Sequence, residues 1–82
     1  MKTTEIYSKL VNEIKENYDA PMYENGEITD YCITLSDDVL ISYGLNDEMI
    51  HVYFKGEELF SAEKCDYHNL KLIYNVLAHT LD

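Results

Sequence analysis

Apolar residues at the start of the chain recur at helical spacing. Ile6, Tyr7, Leu10, Val11, Ile14 and Tyr18 fall on one arc of a 3.6-residue period, and Glu5, Lys9, Glu13 and Glu16 fall on the opposite arc. This spacing predicts a helix over residues 4–18, with Thr3 or Thr4 placed to cap it. Pro21 stops it, because the residue before a proline avoids the helical region, and the turn pair Asn25-Gly26 comes next. The period then falls to two. Four short strands are predicted, over residues 28–35, 39–43, 49–54 and 57–61. Tyr31, Ile33 and Leu35, then Val39, Ile41 and Tyr43, then Ile50, Val52 and Phe54 share the inward face. Ser36-Asp37-Asp38 and Lys55-Gly56 read as tight turns, and residues 44–47 as a longer loop. With a two-residue loop at Lys55-Gly56, Val52 should oppose Leu59 and His51 should oppose Phe60.

A second helical arc closes the chain over residues 66–80, capped by Asp66. Tyr67, Leu70, Ile73, Tyr74, Leu77 and Leu81 share one face, and Leu72 and Val76 widen it. That width predicts a more buried helix than the first. The polar arc holds His68, Lys71, Asn75 and His79. The order is α-β-β-β-β-α, which predicts an α+β fold: a four-stranded antiparallel meander packed on two helices in two layers. No linker, repeat or composition break divides the 82 residues, so 1–82 is read as a single domain. The other sheet face should carry Asp30, Cys32, Thr34, Leu40, Ser42, Met49, His51, Tyr53, Glu58 and Phe60. An apolar-aromatic surface rimmed with charge fits a partner or a homodimer contact through Met49, His51, Tyr53 and Phe60.

Charge changes the picture most. Sixteen acids against six basic residues give −10, about one excess negative charge per eight residues. From Glu16 to Phe54 there are nine acids and no Lys or Arg; Glu57, Glu58 and Glu63 come after, interrupted only by Lys55. Lys and Arg supply the affinity for nucleic acid and for anionic membranes, so direct binding to either is not expected. No apolar run approaches the ~18–20 residues of a membrane span, and no signal-peptide h-region lies after Met1. A cytoplasmic location in a bacterial cell is the expectation. Lys, Asn, Ile and Tyr, all frequent here, have AT-rich codons, which fits a bacterial or phage genome of that composition.

Catalytic chemistry has weak support. Cys65 and His68 make a CxxH spacing at a helix start, where a thiol pKa can fall, but Asp66 adjoins it. Cys32 and Cys65 are expected as free thiols. Cys65, His68 and His51 or Cys32 match no structural zinc spacing, and the turns Asp37-Asp38 and Asn46-Asp47-Glu48 lack the EF-hand order, so no metal and no cofactor is expected. His68 and His79 read as solvent-facing, and His51 as a candidate interface residue. Of the eight tyrosines, Tyr7, Tyr18, Tyr31, Tyr43, Tyr67 and Tyr74 fall on core arcs; Tyr23, in the loop over residues 21–26, and Tyr53, on the outer face, are the interface candidates.

Residues i and i+2 of a strand lie ~6.6 Å apart, so carboxylates on neighbouring elements can approximate a row of phosphates. The chain is short, acidic and without a catalytic motif, with Asp37-Asp38, Asp47-Glu48 and Glu57-Glu58 at turns. In this it resembles the small phage-encoded inhibitors of bacterial defence, the anti-CRISPR proteins and the DNA-mimicking uracil-DNA glycosylase inhibitors. The resemblance implies stoichiometric inhibition without catalysis. The partner would be a basic nucleic-acid-binding protein, such as a CRISPR effector or another defence nuclease. The expected contact residues are Glu24, Glu27, Asp30, Asp37, Asp38, Asp47, Glu48, Glu57 and Glu58, with Tyr23 and Tyr53 as anchors. An immunity protein or antitoxin against a basic toxin, and a self-associating structural domain, are the alternatives.

Overall fold

The computed structural model describes the backbone of residues 2–81 and the side chains of residues 2–77. Helix α1 (Thr3–Asn17) leads into strands β1 (Met22–Glu24), β2 (Glu27–Thr34), β3 (Val39–Gly44), β4 (Ile50–Phe54) and β5 (Glu57–Ala62), and helix α2 (Tyr67–Leu81) comes last. The class is α+β, as expected, but the sheet has five strands, all antiparallel and in sequence order. The extra strand, β1, occupies the segment expected to be a loop. Asn25 (φ 53°) and Gly26 (φ 82°) are both left-handed, the backbone of a type I′ hairpin turn. That turn folds Tyr23 and Glu24 against Ile28 and Glu27. Three residues are too few to show a period in sequence.

The helix ends differ in their chemistry. Asp66 caps α2: its carboxylate accepts the Asn69 backbone N–H at 3.2 Å and the Asn69 side-chain amide at 3.0 Å. That amide also donates to the Ser61 carbonyl, tying the cap to β5. At α1 neither Thr3 nor Thr4 is the cap. Lys2 holds that position without a side-chain bond, and its carbonyl accepts from Glu5 and Ile6, so both threonines lie inside the first turn.

Both helices cover one face of the sheet and pack on each other, α1 over β2 and β3, α2 over β5. Ile6, Leu10 and Ile14 of α1 meet Ile33, Ile41 and Ile50 of the sheet and Leu70, Ile73 and Leu77 of α2 in one buried cluster. The width expected of α2 is not used. Leu72 and Val76 are 44% and 49% exposed, because α2 touches mainly α1 and the edge strand β5, which leaves that flank half open to solvent. Among the described side chains, α2 buries Leu70, Ile73 and Leu77, and α1 buries Ile6, Tyr7, Leu10, Val11 and Ile14. Tyr18 and Tyr67, expected in the core, are also largely exposed: Tyr18 has left the end of α1 and lies edge-on against Tyr31, and Tyr67 is the first residue of α2. The side chains of His79 and Leu81 lie outside the described residues.

The β4–β5 register departs from expectation at one place. Lys55 (φ 52°) and Gly56 (φ 84°) make the predicted two-residue turn, and Phe54 pairs with Glu57 and Tyr53 with Glu58. A bulge then leaves Leu59 unpaired, so Val52 faces Phe60 and His51 faces Ser61. Phe60 is thereby moved from the outer face to the helix side, where it packs on the core. Fully burying a phenylalanine ring is worth roughly 1.5–3 kcal/mol, and the partly buried Phe60 gains a share of that by the shift.

Candidate functional site

The strands collect the charge into one layer. Residues 19–63 hold eleven acids and one lysine, whereas residues 1–18 hold three of each and residues 64–82 two of each. The formal charge of −10 therefore belongs to the sheet and its turns, and the two helical segments are each neutral. Three of the five lysines in those two segments are engaged with rings: Lys15 lies over Tyr43 and Tyr31, Lys64 over Tyr7, and Lys71 over Tyr74, at 5.5–5.9 Å from the centroids. Among the described residues, no lysine lies within ion-pair distance of a carboxylate.

The nine candidate acids do not form one patch. Antiparallel pairing sends Glu24, Glu27, Asp47 and Glu48 to one end of the sheet, where the Leu45 N–H donates to the Thr29 carbonyl and joins the β3–β4 loop to β2. Asp37, Asp38 and Glu57 lie at the opposite end, where the Lys55 N–H donates to the Asp38 carbonyl at 2.8 Å. The ends are roughly 23 Å apart, seven residue steps of β2 at ~3.3 Å each. Between them, on the face no helix covers, lie Asp30, Tyr53 and Glu58. Tyr23 is 63% exposed on the edge strand β1, a strand residue and not a loop residue.

The centre of the outer face is His51, which the sequence marked as an interface residue beside Tyr53 and Phe60; Tyr53 is beside it and Phe60 is not. The His51 Nε2 meets Asp47 Oδ2 at 2.8 Å and its Nδ1 meets Glu58 Oε1 at 2.5 Å. Burial alone would lower its pKa, but the bonds to Glu58 and Asp47 outweigh that and raise it above 6.5. Asp47 moves the other way. Burial would raise its carboxyl, but the Met49 N–H and His51 hold it below the usual aspartate value.

Gly44 makes this arrangement possible. Its backbone is buried at the end of β3, and a Cβ there would collide with the Asp47 carboxylate and come within 3.5 Å of Asp30 Oδ2. The loop is pinned from the helical side as well: the Tyr7 hydroxyl donates to the Glu48 carbonyl at 2.7 Å, at a residue held in the left-handed region (φ 55°). Burial, with Tyr43, Glu48 and Asp47 nearby, raises the Tyr7 phenol well above its ordinary value, so it stays a donor. Gly44→Ala is expected to displace Asp47 from both His51 and the Met49 N–H and to cost about 1–2 kcal/mol in thermal or urea unfolding. In an Asp47→Ala background the same substitution should cost less. An equal cost in both backgrounds would show that the clash is not with Asp47.

Beside His51 the outer face is floored by small residues. Cys32 and Ser42 are each 1% exposed and pair across β2 and β3, and His51 and Ser61 continue the row. The Tyr53 phenol is close enough to feel Glu58, Asp30 and Cys32 and to meet Ser42, whose hydroxyl nevertheless has no hydrogen bond of good geometry. Burial, with Asp30 and Asp19 nearby, pushes the Cys32 thiol up to about 11, which keeps it protonated. Both cysteines are free, Cys32 buried and Cys65 exposed with Sγ 4.0 Å from the Glu63 carboxylate. Among the described residues, no group of three or more His, Cys, Asp and Glu converges to hold a metal ion. No described helix is long and apolar enough to cross a membrane. In comparison with known proteins, no family model, no curated protein and no solved structure matches this chain.

Proposed function

We propose that this chain is a non-enzymatic acidic protein that binds a basic nucleic-acid-handling protein and inhibits it by occupying its nucleic-acid site, in the manner of the anti-CRISPR and DNA-mimic inhibitors. The observation that carries the reading is the placement of the whole charge of −10 on the sheet layer, with no lysine paired to its carboxylates among the described residues. Like charges crowded into one layer oppose compaction, and a basic partner would relieve them. The acid-bearing layer extends roughly 23 Å, which matches about seven phosphates of one DNA strand at ~3.4 Å each. Asp30 and Glu58 bridge the two acidic ends, and Tyr23 and Tyr53 offer aromatic surface beside them. A field of this kind speeds encounter with a basic surface and makes binding salt-sensitive.

The test is affinity capture of the tagged chain from a bacterial lysate at low salt, with elution by a salt gradient and by duplex DNA. The expected partner is a basic nucleic-acid enzyme that leaves at moderate salt, is displaced by DNA and loses activity when the chain is added. A partner indifferent to both salt and DNA overturns the proposal.

A further inference from the structure

We propose that Asp47, His51 and Glu58 form a proton-operated latch that ties the β3–β4 loop to β5 across the outer sheet face and sets the charge shown there. The geometry alone requires a proton. A neutral imidazole has one N–H, yet both ring nitrogens of His51 lie at hydrogen-bond distance from carboxylate oxygens, which only accept. Both contacts are satisfied together only by the imidazolium. The two carboxylates come from different elements, Asp47 from the loop after β3 and Glu58 from β5, so the ring joins segments that β4 separates in the sheet.

Loss of the proton has an unequal effect on the two arms. Asp47 also accepts the Met49 N–H through Oδ1 at 3.0 Å, so it is held in place without His51. Among the described residues, the Glu58 carboxylate makes no other hydrogen bond. The neutral ring therefore keeps its hydrogen on Nε2, toward Asp47, and turns the lone pair of Nδ1 toward Glu58, which is released. The groups facing His51 are Asp47 from the loop, Glu58 and Ser61 from β5, Tyr53 from its own strand and Ser42 from β3, with Asp30 and Cys32 beyond on β2. None of them is a cation, so nothing there replaces the lost charge. The cluster changes from one net negative charge to two. Its carboxylates remain 47% and 46% exposed while the ring is 16% exposed, so the gain faces solvent.

Folding stability depends on the same proton. With the His51 pKa raised in the folded state, its contribution is fully present below the ordinary 6.5 and is lost as pH rises through the raised value. A consequence for binding rests on the function proposed above: a basic ligand should bind more tightly on the alkaline side of the His51 midpoint.

The test is a nitrogen-15 NMR titration of the full chain, of Asp47→Asn and of Glu58→Gln. His51 is expected to titrate above 6.5, to form the Nε2–H tautomer when neutral, and to titrate lower in both variants. The Glu58 and Leu59 amide signals should move with the same midpoint. A His51 midpoint at or below 6.5, or one that Glu58→Gln leaves unchanged, overturns the latch; the unmodified chain decides even if a variant fails to fold. A second arm measures binding of an oligo-arginine peptide at constant ionic strength. Affinity should rise through the His51 midpoint, and His51→Gln should abolish the rise. Binding flat with pH overturns the link to partner charge while the titration still stands, and a failed capture from lysate bears on the proposed function alone.

Discussion

Leu70→Ala is expected to lower the unfolding free energy by about 3 kcal/mol, within the ~2–5 kcal/mol range of fully buried leucines. Leu70 is 0% exposed, in the cluster where α2 meets α1 and the sheet. A chain of this length has a total stability of roughly 4–12 kcal/mol, so the loss is a large part of the whole. The melting temperature should fall by roughly 12–24 °C. Leu72→Ala, two residues along the same helix, should stay within about 0.5 kcal/mol of the parent, because Leu72 is 44% exposed. Thermal unfolding of the two variants decides where the buried edge of α2 lies. Equal losses would show that something covers the Leu72 flank in solution, and a small loss for Leu70 would contradict the core itself.

That pair of leucines also marks where periodicity stops being informative. Leu70, Ile73 and Leu77 keep the helical period and are buried; Leu72 and Val76 extend the same arc and are not. Hydrophobicity says which side of a helix turns inward, whereas the number of elements available to cover that side is a property of the assembled fold. The strands show the same division. Alternation placed Ile33, Ile41, Tyr43, Ile50 and Val52 on the buried face, because a half-buried strand writes its orientation into every second residue. It was silent on β1, too short to alternate, and misleading at Phe60, where one unpaired residue, Leu59, reverses the parity of the rest of β5.

Chemistry was legible by type and not by contact. The acids and His51 stand out in the sequence, yet His51 and Glu58 are seven residues apart, and Asp47 reaches the ring only because Gly44 leaves room for its carboxylate. A glycine just after a predicted strand, with an aspartate three residues later, was the available signal, and its meaning depends on a loop path that composition does not encode. The spread of the acids over two ends of the sheet was hidden for the same reason. Adjacent hairpin turns alternate between ends, so Asp37-Asp38 and Asp47-Glu48, ten residues apart in sequence, are carried to opposite poles.

Neutralising either pole is expected to weaken binding of a basic partner and strengthen the free fold. One variant carries Asp37→Asn, Asp38→Asn and Glu57→Gln; the other carries Glu24→Gln, Glu27→Gln and Glu48→Gln. Each removes three negative charges and spares Asp47 and Glu58, so the His51 contacts stay intact. Exposed charge contacts are worth about 0.2–1 kcal/mol apiece, so three together come to roughly 0.6–3 kcal/mol, or about 3- to 160-fold in affinity at low salt. The loss should shrink as salt rises and the Debye length falls below the spacing of the charges. In the free chain the same substitutions should raise the melting temperature at low salt, since they relieve repulsion in a layer that holds all of the −10, and added salt should reproduce that rise in the parent. The two poles separate the possible contacts. A ligand laid along the whole sheet layer loses affinity to both variants, whereas a contact at one pole responds to one variant alone. Affinity unchanged in both, alongside a raised melting temperature, would leave the acids as a cost to folding with no part in recognition, and would sink the proposal that they stand in for phosphates.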